Sequence, residues 1–208
     1  MTTENDKYNT FINDFYNLKT KDITDTHRDL LWNSEFSQTI RFEYLYKLIE
    51  HELDTIEVLD VGCGLSHFRG FINKKKKHNI RYTGLDINKN FIEISRQKYP
   101  DSQFINKPLN ELNNKNYDYI IASGIFNIGD PTLNMNNYLK YSIEKMFKLS
   151  KKGIAFNFLT KKNQNIFEGG SIIYFDPLFV LETSFSLTNK IKFYHSYSND
   201  DCTILMYK

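Results

Sequence analysis

The sequence predicts an α/β fold, a mostly parallel sheet with helices on both faces, and three observations predict it. Short apolar runs alternate with longer segments of helical periodicity. The runs are apolar almost throughout, as in strands buried on both faces. The first of them, Val58-Leu59-Asp60-Val61, opens into Gly62-Cys63-Gly64 ahead of a helical segment, the strand-turn-helix arrangement that lets a ligand lie against backbone amides.

Taken in order, residues 34–53 read as a helix, with Phe36, Ile40, Leu45, Leu48 and Ile49 as its apolar stripe and Ser34 as its cap. Strands are expected at 56–61, 81–86, 103–106, 118–123 and 153–159, and helices at 66–76, 89–98 and 135–149. After residue 159 the pattern changes. Asp176-Pro177 opens a helix to about 184, and 190–197 and 202–207 read as two strands that close the sheet antiparallel. No repeat, low-complexity stretch or Pro/Gly/Ser-rich linker divides the chain. One domain spanning 1–208 is expected, a helical cap over 1–54 on a core over 55–208.

Composition narrows the function. The 208 residues carry a formal net charge of +2, which argues against a protein devoted to a polyanion. Lys74-Lys75-Lys76-Lys77 is the exception, and it reads as a solvated helix end, where cations suit the dipole, in preference to a phosphate-binding patch. Neither an 18-residue apolar run nor an apolar leader is present, so a cytoplasmic protein without a membrane partner is expected. Two cysteines, Cys63 and Cys202, are too few for a disulfide framework or a zinc cluster, and packing roles are expected for both. The abundance of Lys, Asn and Ile has the look of an AT-rich, bacterial coding bias.

Asp86, in Tyr-Thr-Gly-Leu-Asp-Ile-Asn, lies 22 residues beyond Gly64, the spacing at which a second-strand carboxylate meets ribose hydroxyls. A pyrophosphate cradle would want a glycine where His67 stands. The segment 58–68 instead resembles the first motif of the class I S-adenosylmethionine-dependent methyltransferases, acid-x-Gly-x-Gly-x-Gly: Asp60, Gly62 and Gly64 match, and Ser66 replaces the third glycine. The resemblance continues through Asp86, Tyr117-Asp118-Tyr119-Ile120-Ile121-Ala122-Ser123-Gly124 and Gly153-Ile154-Ala155-Phe156-Asn157-Phe158, covering roughly 55–160 in the family's order. It implies a Rossmann-like seven-stranded mixed sheet of order 3-2-1-4-5-7-6, S-adenosyl-L-methionine as cofactor with S-adenosyl-L-homocysteine as product, and no metal.

By the same resemblance Asp60 orients the methionine portion, Gly62 and Gly64 pass beneath the nucleoside, and Asp86 followed by Ile87 holds the ribose. Asn106 or the backbone near Leu109 takes the adenine, since the third strand lacks the acid common in relatives. Ser123 lies near the sulfonium, and Phe126 covers the ring or the methyl-donor end. Trp32, Gln38 and Arg41 form a capping segment, with Arg41 set to pair with the cofactor carboxylate. Asn127, Tyr138, Asn157, Tyr174 and Phe175 offer acceptor contacts, and Lys161 to Gly170 reads as a lid.

His27, His67 and His195 are the candidate bases for a neutral hydroxyl acceptor, while an anionic one would need only orientation by Arg41, Lys161 or Lys162. The expected activity is O-methylation of a small polar metabolite, such as a nucleotide-linked or phosphorylated precursor of a surface polysaccharide or secondary metabolite, by a monomer or homodimer. The loop Ser123-Gly124-Ile125-Phe126 departs from the Asn/Asp-Pro-Pro-aromatic signature of DNA amino-methyltransferases, so no nucleic-acid partner is favoured. An RNA or protein methyltransferase and a non-catalytic cofactor-binding subunit are the alternatives.

Overall fold

In the computed structural model, which describes residues 3–19, 23–113, 117–160 and 171–208, the apolar runs form one seven-stranded sheet. Its strands are β1 (Ile56–Val61), β2 (Ile80–Asp86), β3 (Gln103–Asn106), β4 (Tyr117–Ala122), β5 (Ser150–Leu159), β6 (Ile191–Tyr194) and β7 (Asp201–Tyr207). The order is β3-β2-β1-β4-β5-β7-β6, as the family resemblance implies. The first five strands pair in parallel, whereas β7 runs antiparallel between β5 and β6.

Successive residues of each strand face opposite layers. Leu59, Ile120, Ile154, Phe156, Ile204 and Met206 meet α5 (Met135–Leu149) and α6 (Pro177–Phe185). Val58, Tyr119, Ile121, Ala155 and Leu205 meet α2 (Glu35–Tyr46) and α3 (His67–Lys74). Both layers are dry, which explains why these strands read as continuous apolar runs rather than alternating ones. Caps fall where side-chain oxygens can take the first free amides: Ser34 accepts from Ser37 N–H at α2, Asn88 from Phe91 N–H at α4 (Lys89–Lys98), and Asp176 from Leu178 N–H ahead of Pro177.

Three boundaries differ from the sequence reading by three residues or more. The helix expected over 34–53 ends at Tyr46, because Leu48 and Ile49 bond back three residues, to Leu45 and Tyr46, tightening the last turn while both side chains stay buried. Strand β5 begins at Ser150, pairing with Tyr117 across a register shift. At the sheet edge β6 stops at Tyr194, where pairing with Thr203 ends.

Ahead of the sheet lies α1 (Glu4–Lys19), a helix within the expected cap. Tyr8, Ile12 and Tyr16, four residues apart, put one face of it toward the carboxyl ends of the strands. Hydrogen bonds hold it there: Tyr8 OH donates to the carbonyls of Ile125 and Ile128, both at 3.0 Å, and Asn9 and Asn17 pair with Asn110 and Asn88. The lysine run behaves as a helix end, with Lys75 ion-paired to Glu43 at 2.7 Å and Lys77 donating to the carbonyls of Glu50 and Glu52.

Candidate active site

Beyond the carboxyl ends of β1, β2 and β4 lies a cleft enclosing about 1020 Å³, including the solvent at its mouth. Its floor is main chain. Gly62 and Gly124 have φ of +67° and +74°, in the left-handed region that favours glycine, and a Cβ on Gly124 would lie 2.5 Å from the Trp32 ring. A Cβ on Gly62 would strike the Ile125 side chain. Glycine at these two positions therefore lets the capping segment and the loop after β4 close on the floor. Ser66 adopts a φ of +56°, explaining why the family's motif has glycine there; its hydroxyl donates to Ser95, which also bonds the Gly64 carbonyl.

Asp86 stands at one end of the cleft. Its carboxylate accepts from Gly64 N–H and Asn88 N–H, each at 2.8 Å, which ties the β1 and β2 loops together. Burial raises its pKa, and the N–H groups of Asn88, Gly64 and Ile87 oppose that rise. Ile87, Lys107 and Leu109 line the same end. Asn106 does not line the cleft: its amide donates to the carbonyls of Asp86 and Ile87, shaping the turn instead of offering itself to an adenine.

Toward the other end, Trp32, Gly62 and Ser123 continue into a second hollow of about 260 Å³ lined also by Gln38, Asp60 and His67. Asp60 accepts a 2.5 Å hydrogen bond from Tyr82 OH. Burial lifts its pKa to about 7, against the Tyr82 bond and with the help of the Asp86 charge. His67 bonds Gln38 and Asp25, both at 3.1 Å, and burial lowers its pKa, so it is a neutral strut between the capping segment and α3.

Several expected roles are corrected by packing. Phe126 is fully buried, edge-on to Phe156 and Phe175, and belongs to the core rather than to a ring-covering wall. Asn157 is buried behind Gly124, accepting its N–H at 2.8 Å, and lines no part of the cleft. Neither Tyr174 nor Phe175 reaches it. His27 sits in a 3-10 turn and receives Trp32 N–H on its carbonyl, and His195 bonds the Asp201 carbonyl beside the β6-β7 hairpin, so neither histidine lines the cleft. Arg41 is not a free cation: Nε pairs with Asp201, Nη1 donates to the Ser37 carbonyl at 2.6 Å, and the guanidinium lies 4.7 Å over the Trp32 ring. Lys161, Lys162 and the lid read over Lys161 to Gly170 lie outside the described residues.

Asn127 and Tyr138 do line the cleft, joined by Tyr8, Asn9, Ile12, Asn13 and Tyr16 of α1, which sequence reasoning missed although the spacing of Tyr8, Ile12 and Tyr16 is a legible stripe. Tyr8 and Tyr138 lie ring on ring, centroids 3.6 Å apart. Burial holds the Tyr8 phenol well above its ordinary pKa and that of Tyr138 at about 12, so both stay protonated. Ser123 Oγ and Asn127 Oδ1 are buried without a hydrogen-bond partner. Both residues are on the loop after β4 and line the cleft, while the two oxygens themselves are covered by protein atoms. Among the described lining residues of the main cleft, Asp86 and Lys107 are the charged ones.

Residues 53–167, more than half of the chain, match the family model for a methyltransferase domain. Over 163 residues, spanning 77% of this chain and 98% of the relative, the sequence is 22% identical to Rv1506c of Mycobacterium tuberculosis, provisionally named a methyltransferase. Among solved structures it is similar to the magnesium protoporphyrin IX methyltransferase of Synechocystis PCC 6803 with bound S-adenosylhomocysteine, at a TM-score of 0.69 and 13% identity over 96% of this chain and 99% of that one. It is also similar to the N-methyltransferase NodS of Bradyrhizobium japonicum WM9, again in complex with S-adenosylhomocysteine, at 0.66 and 14% over 94% and 97%. With the sheet order, the glycine floor and the β2 carboxylate already placed, the chain belongs to the methyltransferase-domain family.

Proposed function

We propose that the cleft binds S-adenosylmethionine and that the chain passes its methyl group to a hydroxyl of a small, uncharged polar metabolite, the carbon–sulfur bond breaking as the carbon–oxygen bond forms and the hydroxyl proton leaving to solvent at the cleft mouth. The observation that carries this reading is the lining of the cleft, in which Asp86 and Lys107 are the charged residues among those described and Tyr8, Asn9, Asn127 and Tyr138 offer uncharged polar groups. Two structural neighbours bind S-adenosylhomocysteine in the same fold, and the residues of this cleft fit that group: main chain at Gly62, Gly64 and Gly124 along the cleft for the nucleoside, Asp86 for vicinal hydroxyls, and Asp60 with Trp32 for the methionine end. The sulfonium cofactor supplies an activated methyl group for in-line displacement. The chain's own part is to align the acceptor and exclude water, which is where most of the acceleration in such a reaction arises. Tyr8 and Tyr138, both protonated and with their rings tilted 32° to each other, wall the acceptor end, and α1 roofs it.

Among the described residues the lining is poor in cationic side chains, which favours a neutral acceptor over the phosphorylated or nucleotide-linked precursor read from the sequence, and a roofed cleft suits a small molecule better than an RNA or a protein. Calorimetry should give micromolar Kd values for S-adenosylhomocysteine. With S-adenosylmethionine, its release should be faster with neutral hydroxyl compounds than with their phosphate esters. A folded protein that binds no S-adenosylhomocysteine would defeat the cofactor assignment, and turnover confined to phosphate esters would defeat the neutral acceptor.

Asp60 makes the binding pH-dependent. Its pKa of about 7 means the carboxylate is half-protonated near neutrality, and a cationic ligand beside it favours the ionised form. Binding therefore expels a proton, and affinity rises as pH climbs from about 6 to 8. Calorimetry with S-adenosylmethionine in buffers of different ionisation enthalpy should detect that proton. Asp60→Asn should flatten the profile, and an equally steep profile in Asp60→Asn would assign the proton elsewhere.

A further inference from the structure

Behind the cleft, out of reach of any ligand in it, three side chains converge on one carboxylate. Asp201, the first residue of β7, is fully buried. Arg41 Nε donates to its Oδ2, while Asn157 Nδ2 at 3.2 Å and Tyr197 OH at 2.8 Å donate to its Oδ1. Each of the first two donors continues to a wall of the cleft. Arg41 carries its guanidinium over Trp32, and Asn157 receives Gly124 N–H on its other amide atom. Trp32 and Gly124 touch each other at the junction between the main cleft and the smaller hollow.

The choice of an acid at 201 has a specific consequence. An ionised carboxylate only accepts, so it fixes which way the Asn157 amide faces: Nδ2 toward Asp201, and therefore Oδ1 toward Gly124 N–H. An amide at 201 could donate as well, releasing Asn157 to flip and leaving Gly124 N–H facing a donor. The same carboxylate is the counter-charge that holds the Arg41 guanidinium over Trp32.

We propose that Asp201 is a positioning residue for the methyl-donor end of the site, setting Trp32 through Arg41 and the Ser123-Gly124 turn through Asn157. This inference depends on the reading that the cleft binds S-adenosylmethionine. Trp32, the one tryptophan of the sequence, reports on it directly. Asp201→Asn, nearly the same size, should shift the Trp32 emission and weaken S-adenosylhomocysteine at least tenfold, read by the quenching of that emission. Should Asp201→Asn not fold, Asn157→Ser cuts the Gly124 arm alone, since its short hydroxyl cannot span Asp201 and Gly124. It should weaken S-adenosylhomocysteine while Trp32 emission stays at the wild-type wavelength. Wild-type affinity in either folded variant overturns the proposal. A wild-type protein that fails to bind S-adenosylhomocysteine instead overturns the cofactor reading on which it depends.

Discussion

Asp86→Ala is expected to weaken S-adenosylhomocysteine by about 1 to 3 kcal/mol, roughly five- to 150-fold, because a carboxylate that accepts from ribose hydroxyls leaves them unpaired when removed. The structure adds a second loss. The Asp86 oxygens accept from Gly64 N–H and Asn88 N–H, so alanine also orphans two amides of the loops that form the floor. Each buried orphan costs about 1 to 3 kcal/mol, and for a chain of this size each kcal/mol lowers Tm by about 2 to 4 °C. Thermal melts with and without ligand separate the two effects. An Asp86→Ala protein with a lowered Tm and wild-type affinity would leave Asp86 as a loop clamp that never meets a ribose.

Arg41→Ala is expected to be among the most destabilising single changes. Read from sequence, Arg41 is set to pair with the cofactor carboxylate. In the structure its loss strands Asp201, whose side chain is fully buried. Removing one partner of a buried ion pair costs about 3 to 5 kcal/mol, since the remaining charge is uncompensated. The sign of the pH dependence follows. Burial raises the Asp201 pKa and Arg41 opposes the rise, so without Arg41 the carboxyl gains a proton more readily in the folded state than in the unfolded one. The deficit of Arg41→Ala should therefore shrink as pH falls and widen as pH rises, a trend that denaturant melts between pH 5 and 8 can follow. A deficit independent of pH would mean that lost packing, not the stranded charge, is responsible.

The scaffold was legible because its signals are local. The apolar runs that became β1 to β5, the Asp176-Pro177 helix start and the 22-residue step from Gly64 to Asp86 each fit inside a short window. Gly62, Gly64, Asp86, Ile87 and Ser123 line the main cleft because the motif fixes the loop and the loop fixes the residue, and Trp32, Leu109, Asn127 and Tyr138 line it as well. What escaped were residues whose surroundings are set by distant chain. Phe126 follows β4 and Asn157 lies near the end of β5, and whether a side chain there points into the cleft or into the core depends on α5, Phe175 and Asp201. Asp201 itself, next to Asp200 in a polar stretch, looks like a turn residue until Arg41 is brought to it.

That pairing also bears on how the protein folds. Arg41 and Asp201 are 160 residues apart in the chain, and β7 has to pair with β5 before they meet. Contacts of such long range contribute only after most of the loop-closure entropy has been spent, so they form late and slow the search. The wall around Trp32 and Gly124 is then among the last parts of the molecule to set, after the parallel strands that carry the glycine floor. A folding chain should gain most of its sheet before it gains any affinity for its cofactor. In a stopped-flow refolding experiment with S-adenosylhomocysteine present, the Trp32 signal should accordingly trail the backbone signal.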